Sequence, residues 1–265
     1  LAHLYHREKM NETLMYNAYF LHRSYFEDLY DEAHPCGNEL ISFDKDRARA
    51  LLAEAGWTAD PATGLLTKEG RPLRLRYLSR GSTDDKFTAI FQEDLKDVGI
   101  ELVVDKKDWA AWAKDMDAYN YDLTWASWSA GLFKNPESMW ASKEADRPSG
   151  QNLTGYKNPE VDALIDAQRT EFDVARRHDV VRQIDALLAR DVPYVLLWYK
   201  QGTRLLWWNK FGMPDQPLGK HGDERSAHTY WWYDPDAAAD LVHAQKTGRA
   251  LPARPARADY AEPAP

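Results

Sequence analysis

The residues best suited to hold a ligand cluster around one long irregular stretch of the chain. Residues 129–157 show no periodicity and are rich in Gly, Asn, Ser and Pro, and a loop of that length inside a compact domain is usually functional. Tryptophan offers a flat apolar wall, and Ser, Asn and Tyr offer neutral hydrogen-bonding groups. The candidate ligand contacts in and beside this stretch are Trp125, Ser127, Trp128, Ser129, Asn135, Trp140, Asn152 and Tyr156.

The tryptophans differ in what their positions imply. Trp125 and Trp128 lie three residues apart on a predicted strand, so their side chains should point to opposite faces, one into the core and one toward a cleft. Trp128 fits either role, and its small neighbours favour accessibility. Trp140 lies in the long loop, where a large exposed apolar side chain is costly, and we expect it to line the cleft. Asn135, like the other polar candidates, also fits an ordinary turn position.

Catalytic chemistry has weaker support. Glu137 and Asp146 could form the carboxylate pair of a glycoside hydrolase, although each also fits a solvated loop position. Cys36, the single cysteine, is expected to be a small, partly buried filler. His3 and His6 share a predicted helical face without a third ligand, so we expect no metal and no cofactor.

Composition excludes several classes of partner. The 265 residues include 34 basic and 42 acidic side chains, a formal net charge of −8 that repels phosphate backbones and makes nucleic acid an unsuitable partner. The most apolar stretch, from Val192 to Tyr199, is far shorter than the roughly 20 residues that cross a bilayer, so we expect no membrane-spanning segment. The chain opens at Leu1 without an initiator methionine or a signal segment, and we expect it to be a fragment of a longer protein.

Helix and strand signals alternate along the chain, which is typical of an α/β fold. The predicted helices are 5–19, from Asp44 to Gly56, from Ser82 to Gly99, from Asp108, from Asn158, from Val174 to Ala189, and from Pro235 to about Lys246. The predicted strands are a hairpin of Leu65–Thr67 and Leu73–Leu78 around Glu69-Gly70, then Ile100–Val104, Tyr121–Trp128, and a second hairpin of Tyr194–Tyr199 and Thr203–Trp208.

Several stretches resemble one protein family in their order and spacing. They are Phe43–Trp57, Tyr121–Trp128, Asn152–Ile165 and Asp191–Leu197. Together they are similar to extracellular solute-binding family 5, the oligopeptide-, dipeptide- and nickel-binding receptors of ABC importers. Arg7–Leu14 and Trp231–Asp234 are similar to a subgroup of that family with broader ligands. Each motif is weak alone, and the ordered set carries the resemblance.

The resemblance implies a periplasmic-binding-protein type II-like lobe with a mixed sheet and flanking helices, the second lobe being absent from this fragment. It implies that residues 1–210 form the C-terminal ligand-binding lobe, that 211–248 return toward the missing N-terminal lobe, and that 249–265 form a disordered tail. It also adds Trp198, Tyr199 and Arg204 to the candidate ligand contacts, at positions where the family tends to line its pocket.

The function that the resemblance implies is capture of a peptide or peptide-like solute in a cleft between two lobes, without catalysis. Its expected partners are the solute and the permease subunits of an ABC importer. We expect a monomer in the periplasm or outside the cell, with lipid anchoring left open. A carbohydrate-active hydrolase using Glu137 and Asp146 is the alternative, and a cytoplasmic interaction domain is a third reading. Neither explains the order of the motifs.

One position departs from the family pattern. In classical peptide-binding members, the strand that corresponds to Tyr121–Trp128 ends in a tryptophan, and an aspartate follows three residues later. The carboxylate of that aspartate pairs with the free α-amine of the ligand. Here the corresponding positions read from Trp128 to Gly131. Gly131 carries no charge, so we expect ligands with a blocked or absent N-terminus to bind at least as well as free-amine peptides.

Overall fold

The computed structural model describes residues 1–128, 131, 134–199, 204–215 and 228–253. They fall into two compact units. The first comprises the described residues of Leu1–Ser129 and Phe133–Lys200, and the second those of Ala130–Leu132 and Gln201–Pro265.

Helices and strands alternate through most of the first unit. The helices are α1 Arg7–Met15, α2 Lys45–Glu54, α3 Asp85–Lys96, α4 Trp109–Asp117, α5 Glu137–Trp140, α6 Pro159–Thr170, α7 Val174–Asp191 and, in the second unit, α8 Pro235–Thr247. The strands are β1 Phe20–Leu21, β2 Thr58–Ala59, β3 Leu66–Lys68, β4 Arg71–Pro72, β5 Arg74–Arg80, β6 Glu101–Lys107, β7 Leu123–Thr124 and β8 Trp198–Tyr199, followed by β9 Phe211–Gly212 and β10 Trp232–Tyr233. Short 3-10 turns lie at Ala2–Leu4, Glu27–Leu29 and Ser142–Glu144.

Local capping explains where several helices begin. The Asp44 carboxylate accepts a hydrogen bond of 2.8 Å from the backbone N–H of Arg47 and starts α2. Asp108 caps α4 and Asn158 caps α6 in the same way, with Pro159 at the first helical position. The predicted starts of these three helices are therefore confirmed.

A parallel sheet in the order β6-β5-β7 forms the centre of the first unit. Seven residue pairs join β5 to β6, from Arg74 opposite Glu101 to Arg80 opposite Lys107. The apolar face of α3 packs beside the sheet, where Phe91 and Leu95 are buried together with Ile100. Parallel strands joined through helices give the α/β architecture that the sequence predicted, and the described residues also form small antiparallel sheets of two or three strands.

A second apolar cluster lies where α6 and α7 pack together. Val161 and Ile165 of α6 meet Ile184 and Leu188 of α7, and all four are almost completely buried. Asp185 of α7 is also buried. Its carboxylate accepts hydrogen bonds of 2.7 Å from the Tyr25 backbone N–H, the Tyr30 hydroxyl and the Asn38 amide. These bonds hold residues 25–38 against α7.

Two strand predictions and one helix start need correction. The turn at Glu69-Gly70 joins β3 to β4, whereas residues 74–80 pair with β6 and β7, because parallel pairing gives them a longer partner. Only Leu123–Thr124 of the predicted strand Tyr121–Trp128 pairs with β5. Helix α3 begins after its cap residue Asp84, later than the predicted start at Ser82.

The predicted hairpin after Tyr194 is also wrong in its described part. Trp198 and Tyr199 pair with β1, and the described residues 204–208 form no strand. The link at Gln201-Gly202 lies outside the described residues.

The second unit contains β9, β10 and α8. Trp232 pairs with Gly212 and Tyr233 with Phe211, and Asp234 caps α8, which ends before Gly248. The start of α8 at Pro235 is as predicted. The boundaries proposed at 210 and 248 stay predictions, and residues 254–265 of the predicted tail lie outside the described part of the chain.

Candidate functional site at the carboxyl edge of the parallel sheet

Ligands of open α/β sheets bind outside the carboxyl ends of the parallel strands. Here β5 ends at Arg80, β6 ends at Lys107, and β7 ends at Thr124. Trp109 begins the helix after β6, and the segment 125–128 follows β7 directly. The sheet therefore brings an arginine and several tryptophans to one edge.

Trp125 anchors the segment after β7 in the core. Its ring lies 5.7 Å from Phe87 and 5.6 Å from Trp198, and Phe87 and Trp198 lie 5.2 Å apart, measured between ring centroids. All three residues are partly buried against the main core cluster. This packing fixes the backbone from which the next residues project.

Ser127 and Trp128 are exposed on that anchored segment, and Trp128 keeps 43% of its surface accessible. A tryptophan with this exposure leaves apolar surface in contact with water, and a ligand can cover that surface. Tyr199, at the β1–β8 pair, is 39% exposed and meets the ring of His22 edge-on at 5.6 Å. The roles of these residues in binding stay predictions.

Three of the predicted contacts lie beyond this part of the structure. Ser129 falls outside the described residues. Gly131 and Arg204 are exposed and belong to the second unit.

Trp140 is a core residue, and the prediction that it lines the cleft is wrong. Only 1% of its surface is accessible. Its ring meets Tyr25 and Tyr156 edge-on at 5.2 and 5.9 Å and lies 5.0 Å from Tyr194. The loop folds back onto α6 and α7, and the second apolar cluster closes around this side chain.

Asn152 and Tyr156 hold the loop together, and the expected role of Asn152 as a ligand contact needs correction. The Asn152 side chain is fully buried; its amide donates to the carbonyls of Ala141 and Tyr156, and its oxygen accepts from the Tyr156 N–H. The Tyr156 hydroxyl donates to Asp191 at 2.7 Å, and burial together with this bond raises the pKa of Tyr156 to about 12. The Asn152 side chain is therefore closed to a solute, and a ligand contact of the partly buried Tyr156 stays a prediction.

The carboxylates proposed for hydrolysis are each neutralised separately. Glu137 pairs with Lys143 and, at 2.9 Å, with Arg169, and the Lys143 hydrogen bond lowers the pKa of Glu137 below its usual value. Asp146 is exposed and pairs with Lys157. A general acid needs a raised pKa, so this arrangement does not favour glycoside hydrolysis.

The neighbour of these acids, Asn135, accepts a hydrogen bond of 3.2 Å from the Glu137 N–H and so orients the start of α5. It is exposed, and its contact with a ligand stays a prediction. Among the described residues, no group of three or more His, Cys, Asp or Glu side chains could hold a metal ion. None of the described helices is both long and apolar enough to cross a membrane.

The contacts predicted from the sequence do not include the cluster of Arg80, Trp109 and Trp112. Trp109 is 61% exposed. The two indoles stack at 5.3 Å with an angle of 24°, and the Arg80 guanidinium lies over them. A helix that starts directly after a parallel strand places its first residues at the carboxyl edge, and this was the signal available in the sequence.

Comparison with known proteins assigns the fold. The family described as bacterial extracellular solute-binding proteins, family 5 Middle, matches residues 1–149. The chain is 26% identical over 276 positions to the uncharacterized protein YejA of Escherichia coli (strain K12), covering 91% of this chain and 44% of that protein. It is 27% identical over 199 positions to the oligopeptide-binding protein AppA of Bacillus subtilis (strain 168), covering 72% of this chain and 35% of AppA.

Solved structures agree. The structure of AppA in complex with a nonapeptide matches with a TM-score of 0.72 and 20% identity, covering 88% of this chain and 46% of that one. NikZ from Campylobacter jejuni in complex with Ni(L-His) matches with a TM-score of 0.68 and 20% identity, covering 87% and 47%. These similarities show the type II periplasmic-binding-protein fold.

The chain thus spans less than half the length of the relatives that it matches. The family consists of substrate-binding receptors of ABC importers that work outside the cytoplasm. Because the family match covers more than half of the 265 residues, this chain belongs to the bacterial extracellular solute-binding proteins of family 5.

Proposed function

We propose that this chain supplies one wall of the ligand cleft in the substrate-binding component of an ABC importer, and that the solute is a peptide or peptide-like molecule. The observation that carries the proposal is the carboxyl edge of the parallel sheet, where Trp128 stands exposed on a segment anchored by Trp125. An extended solute can pair there with backbone N–H and C=O groups while an aromatic wall covers its side chains. The complex of AppA with a nonapeptide supports this class of ligand.

The remaining parts of the proposal concern the whole receptor. Residues 1–210 act as the ligand-binding lobe, 211–248 return toward a second lobe, and 249–265 form a tail. The receptor acts as a monomer outside the cytoplasmic membrane, with or without a lipid anchor, and delivers its solute to permease subunits. It catalyses no reaction, in keeping with the separate pairing of Glu137 and Asp146.

Gly131 determines which end of a peptide is recognised. Because this position lacks the carboxylate of the classical members, an N-acetylated peptide binds at least as well as the same peptide with a free amine. A buried ammonium–carboxylate contact is worth about 2–5 kcal/mol on truncation. Gly131→Asp should therefore raise affinity for the free amine by at least about tenfold, since each tenfold corresponds to about 1.4 kcal/mol.

Calorimetry with the two peptides tests this assignment on the receptor polypeptide that carries the chain. Gly37→Asp is the matched control, because Gly37 is an exposed glycine in the first unit with no atom within 4 Å of an added Cβ. The control should leave both affinities unchanged. A strong preference of the parent for free amines would show that another acid recognises the N-terminus. No response to Gly131→Asp would show that Gly131 does not face the cleft. Failure of both peptides to bind would refute the proposed function.

A further inference from the structure

The β1–β8 pair turns one face to the core and the other to solvent. Leu21 lies opposite Trp198, and the Trp198 ring packs against the main core cluster. Phe20 lies opposite Tyr199, and since successive side chains of a strand point to opposite faces, these two rings lie on the other side of the pair. His22 follows Phe20 by two positions and shares that side. Phe20, His22 and Tyr199 are called here the β1–β8 aromatic face.

The three rings of this face contact one another edge-on. The His22 imidazole lies 6.4 Å from the Phe20 ring at an angle of 79° and 5.6 Å from the Tyr199 ring at 65°. Phe20 and Tyr199 are exposed, and His22 is partly buried. The solvent side of an antiparallel pair usually carries polar side chains. A group of exposed aromatic rings is instead typical of a binding surface.

The polar groups beside the aromatic face are turned inward. The Nδ1 atom of His22 is enclosed, has no hydrogen-bond partner among the described residues, and lies 3.6 Å from a carboxylate oxygen of Glu27. That oxygen already accepts hydrogen bonds from the backbone N–H groups of Arg23 at 2.5 Å and Ser24 at 2.9 Å. The face therefore offers mainly ring surface, which an apolar or aromatic side chain can cover.

Arg7, in the first turn of α1, ties both strands of the pair together. Its side chain is buried, and the guanidinium donates to the carbonyls of His22 at 2.7 Å, Leu196 at 2.6 Å and Ile41 at 2.9 Å. His22 directly follows β1, and Leu196 lies two residues before β8. Strands of two residues are too short to hold a pair together alone. The bonds of Arg7 therefore help to set the spacing from which the aromatic face projects.

The aromatic face adjoins the proposed wall of the cleft. The Trp198 ring lies 5.6 Å from the ring of Trp125, and Trp125 begins the segment that carries the exposed Trp128. Tyr199 is the next residue after Trp198 and points to the opposite side of its strand. An extended pentapeptide spans roughly 16 Å. A solute that pairs with residues 125–128 is thus long enough to place one of its side chains on the aromatic face.

On the basis of the proposed function, we propose that the β1–β8 aromatic face holds an apolar or aromatic side chain of the solute. Phe20 and Tyr199 contact that side chain, and Arg7 is a positioning residue that acts through Tyr199. The face gives the receptor a preference for peptides that carry such a side chain.

A scan with one phenylalanine tests this assignment. The probes are an acetylated and amidated alanine pentapeptide and five variants of it, each with phenylalanine at a different position. Affinities are measured by calorimetry on the receptor polypeptide that carries the chain. At least one phenylalanine peptide should bind about tenfold more tightly than the alanine peptide, because covering an apolar side chain of this size contributes at least that factor.

Phe20→Ala and Tyr199→Ala should each remove most of this preference. Phe172→Ala is the matched control, since it deletes an exposed phenylalanine of the same unit between α6 and α7, and it should keep the preference. Arg7→Lys retains the charge but lacks the fork of N–H donors that reaches three carbonyls. It should weaken the preference in the parent and cause no further loss when added to Tyr199→Ala.

The outcomes separate the two proposals. If all six peptides bind alike to the parent, the assignment of the aromatic face is wrong and the proposed function stands. If no peptide binds to the parent, the proposed function fails, and the assignment fails with it. A preference that survives both Phe20→Ala and Tyr199→Ala, or one that Phe172→Ala also removes, would refute the assignment.

The role of Arg7 has its own test. A further loss of preference when Arg7→Lys is added to Tyr199→Ala would show that Arg7 supports the fold in general and does not act through Tyr199. Urea unfolding shows whether each variant is folded. If Arg7→Lys is not, the variants of Phe20 and Tyr199 decide the assignment of the face alone.

Discussion

Replacing Trp140 should lower the stability of the protein without lowering its affinity for peptide, as expected for a core residue. Trp140→Ala removes a side chain that is 1% exposed and contacts three tyrosines. Deleting a fully buried tryptophan typically costs about 3–5 kcal/mol, because the transfer free energy is lost and a cavity remains. A domain has about 5–15 kcal/mol of stability in total, so this variant loses a large share of it.

Trp128→Ala is the natural comparison. Trp128 is 43% exposed at the carboxyl edge, and substitutions of such surface residues change stability by about 1 kcal/mol or less. We expect this variant to unfold near the parent midpoint in urea and to bind peptide several-fold more weakly. Trp140→Ala should unfold at much lower urea while its folded fraction binds peptide with the parent affinity.

Urea unfolding monitored by circular dichroism measures stability, and calorimetry with a blocked pentapeptide measures affinity. If Trp140→Ala does not fold, Trp140→Phe keeps an aromatic ring and should lose about 1–2 kcal/mol. A Trp140 variant with unchanged stability and lost affinity would refute the packing described here and return this residue to the cleft.

Three further predictions concern stability. Burial raises the pKa of the Asp185 carboxyl above 3.8. The carboxyl therefore contributes stability at low pH, and this contribution is lost as the pH rises through the raised pKa. In urea titrations, the difference in unfolding free energy between the parent and Asp185→Asn should shrink over that pH interval. Asp115 has the opposite sign, because the Lys107 hydrogen bond lowers its pKa to about 2; its stabilisation should disappear as the pH falls from 3.8 toward 2, and Asp115→Asn should lack that loss. Gly99→Ala should cost at least about 2 kcal/mol of stability, because φ is +83° and an added Cβ would lie 2.8 Å from the Gly64 carbonyl oxygen. Gly70→Ala should cost about 1 kcal/mol, because φ is +73° and the space around an added Cβ is open. Equal thermal shifts in the two variants would contradict the close contact at Gly99.

Helix boundaries could be predicted where their signals are local. Asp44, Asp108 and Asn158 each bond to a backbone N–H two or three residues further along the chain. Such a contact depends on a few adjacent residues, so the sequence contains most of the information that determines it. The α/β class was predictable for a related reason, since the alternation of helix and strand signals is itself a local pattern.

Strand partners could not be predicted in the same way. Residues 74–80 alternate as a hairpin strand would, but their partner lies about 27 positions later, at 101–107. A short segment does not specify whether it pairs with a near or a distant strand, because the pairing depends on which apolar faces meet across the sheet. The same limit explains why only two residues of Tyr121–Trp128 pair with β5.

The site was harder to predict than the fold because burial decides it. Trp140 and Trp109 are both large aromatic residues near irregular segments, and only Trp140 was predicted from the sequence to line the cleft. Trp140 is enclosed by aromatic residues from distant parts of the chain, Tyr25 and Tyr194. Trp109 is exposed because α4 begins at the edge of the sheet and meets Arg80 there.

Hydrogen–deuterium exchange of the receptor polypeptide, with and without a saturating pool of blocked pentapeptides, locates the bound solute. Peptide should slow exchange at the carboxyl edge of the sheet, in residues 125–128 and around Arg80, and should leave the buried loop at 150–157 unchanged. An oligosaccharide pool serves as the control and should change neither segment. Protection of 150–157 without protection of 125–128, or protection by the oligosaccharides alone, would contradict the claim that this edge binds a peptide-like solute.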